Sequence, residues 1–259
     1  EPLIKKDAAN MIKNLGKLPV ELAITTNAVL VDKFIDVFKE AGIKSVNVSV
    51  DSLVEERFNM ISRRNYFKRI MQNIDLLIKN DFIVKINVVV IRNLNEHEIP
   101  DFIKWTKTQP VHVRFIEFMP FDGNNWNWDK KVSFKEIMDI AENEFGKSAI
   151  LKIQDQKNDT ARNYRLPDSL GTFGVISSVT NPFCDTCNRI RLTADGKIKN
   201  CLFSESETDL LSAYRHNVNI EPLIRAAILD KKKQRGGADE FNDEFVKNMK
   251  NRSMVAIGG

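Results

Sequence analysis

FIVKINVVVI, residues 82–91, is rich in β-branched residues and has the length of one strand. What flanks it decides the fold. Upstream, Phe67, Ile70, Met71, Ile74 and Leu77 recur at the spacing of one helix face, and IKSVNVSVD (43–51) reads as an earlier strand. Before that, VELAIT (20–25) reads as a strand ending in the polar turn Thr25-Thr26-Asn27. Val31, Phe34, Ile35 and Phe38 then mark a helix that Gly42 stops. Downstream, a helix is expected near 95–107 and a fourth strand at VHVRFIEFM (111–119). Strands alternating with helices imply βαβ units and a parallel sheet. A doubly wound Rossmann-like sheet and a barrel share this period, and no G-x-G-x-x-G follows a strand here.

In both architectures ligands sit at the C-terminal ends of the strands. Those ends carry Thr25, Thr26 and Asn27, then Ser49, Asp51 and Ser52, then Arg114, Glu117 and Met119. Lys85 lies inside a strand, where burial is costly unless an anion meets it. It either snorkels out, pairs with a carboxylate such as Glu117, or faces an anionic ligand. After Pro120 comes the polar, aromatic loop FDGNNWNWDKK, and a soft domain boundary is placed there, giving residues 1–120 and 121–259. Ser133 and Glu136 form an S-x-x-E capping box opening a helix with Ile137, Met138 and Ala141 inward. Residues 150–180 read as short strands and turns.

With 42% hydrophobic and 29% charged residues the chain is globular, not disordered. No apolar run approaches the roughly 18 residues of a membrane span. A net charge of +4 does not argue for a nucleic-acid binder, although it allows a basic pocket for a phosphorylated small molecule. The three cysteines make no disulfide framework; clustered in one segment, they point to a reducing compartment and to metal. No signal peptide or tail anchor is visible. The chain opens EPLIKKD without an initiating Met, and truncation or processing is expected there.

The cysteines lie in NPFCDTCNRIRLTADGKIKNC, residues 181–201. Cys184 and Cys187 form C-x-x-C, and Cys201 follows after 13 residues. Asp195-Gly196 between them is a hairpin signal that would bring Cys201 back beside the C-x-x-C loop. Three interpretations stay open: structural zinc with His216 as fourth ligand, a [4Fe–4S] cluster on three cysteines with one iron open, and no metal. Arg189 and Arg191, two apart on a strand, share a face and call for an anion or carboxylates. A regular hairpin, however, sets Cys201 opposite Ile190, on the face away from the arginines; a bulge, or a pocket at the strand edge, would reconcile them.

FCDTCNRIRLTADGKIKNCLF resembles the C-terminal cluster segment of the GTP 3′,8-cyclases, the MoaA-type radical SAM enzymes that begin molybdenum cofactor biosynthesis. ITTN, SVDSL, RFIEFMPFDGN and the terminal Gly-Gly occur in that family's order, and EPL looks like the end of its G-G-E-P motif. PFDGNNW is similar to the eukaryotic, mitochondrial members; a bacterial member would be cytoplasmic. The resemblance implies an incomplete (β/α)6 TIM-like radical SAM barrel, N-terminally truncated here, with a C-terminal iron–sulfur domain. It implies a lyase in which an N-terminal cluster on C-x-x-x-C-x-x-C cleaves S-adenosylmethionine, the resulting radical takes the C3′ hydrogen of GTP, and C3′ attacks C8. The second cluster binds the purine. Carried over, Cys184, Cys187 and Cys201 ligate that second [4Fe–4S] cluster. Arg189, Arg191, Lys85, Arg114 and Thr25 bind GTP. Ser49 and Met119 contact S-adenosylmethionine, with Glu1 and Pro2 at its methionine end. Gly258 and Gly259, with Arg114, serve catalysis. Family members tend to dimerise and hand their product to a cyclic pyranopterin monophosphate synthase; neither nucleic acid nor membrane is implied. This sequence departs from the family in having no C-x-x-x-C-x-x-C, so the chain as given is expected to lack the N-terminal cluster and not to generate the radical. A non-catalytic GTP- or cluster-binding module and a structural zinc protein remain as alternatives.

Overall fold

The computed structural model describes residues 1–237, 241–249 and 251–257. They form two compact units. The first comprises Glu1–Glu117, Val132–Asp155 and Ala161–Ile176; the second comprises Phe118–Lys131, Gln156–Thr160 and the described residues from Ser177 onward.

The first unit is built on strands β1 (Ala23–Thr26), β2 (Ser45–Ser49), β3 (Ile83–Val90), β4 (Val111–Glu117), β5 (Leu151–Lys152), β6 (Ala161–Arg165) and β7 (Thr172–Ile176). Its helices are α1 (Ala8–Leu15), α2 (Ile35–Glu40), α3 (Glu55–Ser62), α4 (Phe67–Lys79), α5 (Ile99–Thr108) and α6 (Phe134–Phe145). The sheet order is β1-β2-β3-β4-β7-β6-β5. β1 to β4 and β7 run parallel; β6 is antiparallel to β7, and β5 is antiparallel to β6. A doubly wound sheet reverses its order at a switch point. Here the order runs steadily from β1 to β4, and right-handed crossovers that always step the same way stack their helices on one face.

The two faces differ accordingly. Val46, Val48, Val84, Ile86, Val90, Val111, Val113 and Phe115 are fully buried on the face shared with the helices. The alternate residues, Thr25, Asn47, Lys85, Asn87, His112 and Arg114, point the other way. Phe115 meets Phe102 of α5 edge to face, with centroids 6.2 Å apart. α6 begins with the expected capping box: the Glu136 N–H donates to Ser133 Oγ, and the Ser133 N–H to the Glu136 carboxylate at 2.8 Å. The expected helix after Thr26-Asn27 divides into a 3-10 turn, Val31–Lys33, and α2; Gly42 ends it at φ 70°.

The loop after β2 is wired to its neighbours by charge. Ser52 Oγ and the Leu53 N–H donate to the buried Glu98 carboxylate, which also receives Arg57. Asp51 Oδ1 accepts the Val89 N–H at 2.8 Å. Burial pushes the Asp51 carboxyl up to about 6, against the lowering effect of that N–H. A raised carboxyl favours the neutral form in the folded state, so stability is lost as pH rises from about 4 through 6. Asp51→Asn keeps an acceptor for Val89 and removes the charge. It should gain up to about 3 kcal/mol at pH 8 and little at pH 4. Urea midpoints at the two pH values check this, and equal gains at both would refute it.

Candidate functional site

Register assembles the polar face of the first unit. One row reads Thr25, Asn47, Lys85, His112 and Thr172 across β1, β2, β3, β4 and β7. The next reads Ser49, Asn87, Arg114, Gly174 and Asn163 across β2, β3, β4, β7 and β6. Thr25, Ser49, Lys85 and Arg114, all expected site residues, therefore share one face. Arg114 Nε donates to Asn87 Oδ1 at 2.9 Å and its Nη2 to Asn47 Oδ1 at 2.7 Å. Asn47 Nδ2 donates in turn to Thr25 Oγ1 at 3.2 Å. His112 Nδ1 lies 2.7 Å from Thr172 Oγ1. Its pKa is held below the usual value, first by burial and then by Lys85 and Arg114. The face is thus electropositive and suits an anion. Glu117 is not the partner suggested for Lys85. It lies five residues beyond His112, hence on the opposite face, where its carboxylate accepts the Phe134 N–H at 2.9 Å.

Glu1 closes the end of β1. Its carboxylate accepts Thr26 Oγ1 at 2.7 Å, the Asn27 N–H at 2.7 Å and the Leu3 N–H at 3.2 Å. Pro2 opens the 3-10 turn Pro2–Ile4.

The second unit holds the cysteine segment, with strands β8 (Arg191–Leu192), β9 (Lys197–Lys199) and β10 (Thr208–Asp209), and helices α7 (Leu210–Arg215) and α8 (Glu221–Leu229). The hairpin does not take the two-residue turn. Arg191 pairs with Lys199 and Leu192 with Ile198, one residue off the regular register. The Gly196 N–H donates to Thr193 O and the Thr193 N–H to Lys197 O, each at 2.9 Å, and Gly196 has φ 78°. This is a three-residue loop with a glycine bulge. A side chain at Gly196 would also strike Leu211 Cβ at 2.4 Å. The ladder ends at Arg191–Lys199, so Arg189 and Cys201 lie beyond it and the shifted register does not by itself set the faces that they take. Lys231 Nζ ties the two arms by donating to Arg189 O and Asn200 O.

Cys184 and Cys187 are joined by a 3-10 turn in which the Cys187 N–H donates to Cys184 O at 3.1 Å. All three thiols are free and partly exposed. Among the described residues no group of three or more His, Cys, Asp and Glu is arranged to hold a metal ion. His216 ends α7, its Nδ1 2.7 Å from Ser212 O, so zinc finds no fourth protein ligand assembled. By number the three thiols match a cluster that takes three cysteines, but among the described residues they are not gathered about one point.

Strand β8 is too short to hold both arginines. Arg189 lies before it, exposed, donating to Asn158 O at 2.8 Å with its guanidinium over Phe183. Arg191 is half-buried and donates to Ile257 O at 3.0 Å. Arg252, which the sequence did not single out, grips Asp195 at 3.0 Å and Glu207 at 2.9 Å. Thr193 Oγ1 and then Arg252 hold the Asp195 carboxyl down at about 2. Gly258 and Gly259 lie outside the described residues. Met119 O accepts Asn124 Nδ2 at 2.7 Å, in a loop that lines a cavity of about 640 Å³ with Trp126, Met249 and Asn251.

The Radical SAM superfamily model matches residues 1–106, and the Molybdenum Cofactor Synthesis C model matches residues 111–236. A GTP 3′,8-cyclase of Alkaliphilus oremlandii is 35% identical over 264 residues, covering 100% of this chain and 79% of that protein. The chain belongs to the GTP 3′,8-cyclase family. Mitochondrial GTP 3′,8-cyclase of Arabidopsis thaliana is 40% identical, over 100% of this chain and 66% of the relative. Molybdenum cofactor biosynthesis protein 1 of Bos taurus is 39% identical, over 99% of this chain and 40% of the relative. The chain thus spans about 40% of the animal relatives it matches. Its parallel-rich α/β sheet is the TIM-like fold of radical SAM cyclases. No helix among the described residues is long and apolar enough to cross a membrane.

Asn47, Asn87 and His112 escaped the sequence-based search, although each lies two residues from an expected site residue on its own strand. That spacing, read as one face, was the available signal.

Proposed function

We propose that this chain is part of a GTP 3′,8-cyclase, a lyase converting GTP to (8S)-3′,8-cyclo-7,8-dihydroguanosine 5′-triphosphate in molybdenum cofactor biosynthesis. The observation that carries this is the sheet face shared by Thr25, Lys85 and Arg114, in two adjacent rows of a radical SAM-type sheet. Lys85 and Arg114 bind the anionic substrate by charge and hydrogen bonding, and Thr25 adds a hydroxyl. Arg189 and Arg191 hold the triphosphate. Ser49 and Met119 contact S-adenosylmethionine, and Glu1, whose carboxylate already orders Thr26 and Asn27, borders its methionine end with Pro2. Gly258 and Gly259 act with Arg114 in the active site.

Cys184, Cys187 and Cys201 hold a [4Fe–4S] cluster, which supplies an open iron as Lewis acid to the purine when bound. Within these 259 residues there is no C-x-x-x-C-x-x-C. The activity proposed for this stretch by itself is therefore cluster and GTP binding, and radical generation belongs to a chain carrying that motif. A homodimer, a mitochondrial site of action and a downstream cyclic pyranopterin monophosphate synthase complete the reading; the mitochondrial part follows the name of the plant relative.

Iron, sulfide and zinc analysis after anaerobic reconstitution tests it. About four irons per chain are expected, and Cys201→Ser should remove them. One zinc and no iron would favour a structural metal and take the hairpin out of the active site.

A further inference from the structure

We infer that Lys231 is a positioning residue that joins the two arms of the cysteine hairpin beyond the end of its ladder, and so sets how readily all three thiols reach one ligand. This deepens the reading of Cys184, Cys187 and Cys201 as a ligand set and rests on it. Arg191–Lys199 is the last ladder pair. Arg189, two residues past Cys187, and Asn200, just before Cys201, lie outside it. There the Lys231 ammonium donates to both main-chain oxygens, to Arg189 O at 3.0 Å and to Asn200 O. An ammonium carries rotatable donors and no acceptor, which suits two carbonyls arriving from different arms.

The ammonium has a firm base. The Lys231 backbone N–H donates to Ile228 O at the end of α8. α8 packs Leu223, Ile224 and Ala227 against Ile198 of β9 and Leu210 of α7. Asn200 adds a link of its own, its Nδ2 donating to Ala227 O at 2.9 Å. The Cys201 arm is thus tied to the end of α8 twice, and Lys231 brings the C-x-x-C arm to the same point. Among the described residues the thiols are not gathered about one point. A ligand that needs all three must draw them in, and the ordering cost of doing so falls when the arms are already joined.

Two trivalent arsenic probes read this on the chain without any cluster, and neither changes oxidation state. Phenylarsine oxide takes two thiols with loss of water, and Cys184 and Cys187, on one 3-10 turn, can supply both. Arsenite takes three thiols with loss of water, so it must engage Cys201 as well. Lys231→Met should weaken arsenite on the order of tenfold or more, the size of a lost hydrogen bond from a charged donor. It should leave phenylarsine oxide unchanged. Lys231→Arg, which keeps charge and donors, should recover most of the loss. Lys232→Met, which removes an equal charge from the exposed pair with Asp230, should behave as the parent. Iron content after anaerobic reconstitution should fall in Lys231→Met and not in Lys232→Met.

A merely structural role predicts that both arsenicals weaken together as the melting point falls, and that result overturns the inference. Parental arsenite affinity in Lys231→Met also overturns it, while about four irons per chain in the parent would then still support the functional reading. No iron in the parent overturns that reading, and the arsenic titrations still decide the role of Lys231. Where Lys231→Met does not fold, Asn200→Ala, which frees the Cys201 arm from Ala227 O, should show the same selective loss of arsenite.

Discussion

Replacing Arg189 and Arg191 together by alanine should weaken GTP binding by about 10²- to 10⁴-fold while leaving the chain folded. Hydrogen bonds to charged groups contribute roughly 1.5–3 kcal/mol each, and every 1.4 kcal/mol is tenfold in affinity. Two guanidiniums on one triphosphate give that range. The expectation of intact folding comes from their surroundings. Arg189 is exposed and donates to the Asn158 carbonyl, and Arg191 reaches the Ile257 carbonyl. Main-chain carbonyls can turn to water when the donor leaves. The single variants should differ. Arg191→Ala also frees the segment at Ile257, whereas Arg189→Ala loses a surface contact. Calorimetric titration with GTP at fixed salt measures the effect. Affinity within twofold of the parent would remove the hairpin from the substrate site.

Phe115→Ala should cost about 3–5 kcal/mol of stability, the usual range for deleting a large aromatic ring from a core. The ring is fully buried in β4, which lies between β3 and β7, and it contacts Phe102 of α5 nearly perpendicularly at 88°. That edge-to-face pair adds a directional contribution beyond the buried area. Its neighbour in sequence makes the internal control. Arg114 points to the opposite face, so Arg114→Gln should leave the urea midpoint nearly unchanged while altering ligand binding. A loss below about 1 kcal/mol for Phe115→Ala would mean that α5 does not pack on this sheet face.

Much of the fold was legible because its signals are local. The β-branched run at 82–91, the helix face from Phe67 to Leu77 and the Ser133–Glu136 box all act between residues a few positions apart, and the elements form where these patterns lie. The site was legible in part. Lys85 stood out as a charge in a strand, and the cysteine spacing stood out as a ligand set. Asn47 and Asn87 did not, because an asparagine beside valines carries no meaning until register brings it against a guanidinium from another strand. The hairpin shows the same limit. Asp195-Gly196 announced a turn, but the turn has three residues, closed by Thr193 and the left-handed Gly196. One residue of shift changes which side chains share a face.

By itself the sequence determined the alternation of strands and helices, the helix cap, the clustering of all three cysteines and the membership signalled by their motif. Those properties follow from spacing along the chain and from side-chain chemistry. Tertiary structure alone decided the strand order and the return of residues 161–176 to pair beside β4. It also decided the face on which Lys85 and Arg114 meet, and the grip of Arg252 on Asp195 and Glu207. The partners in each of these lie far apart in sequence. Which of them meet depends on the free energy of closing long loops against the apolar area and hydrogen bonds gained when they close, and no local pattern encodes that balance.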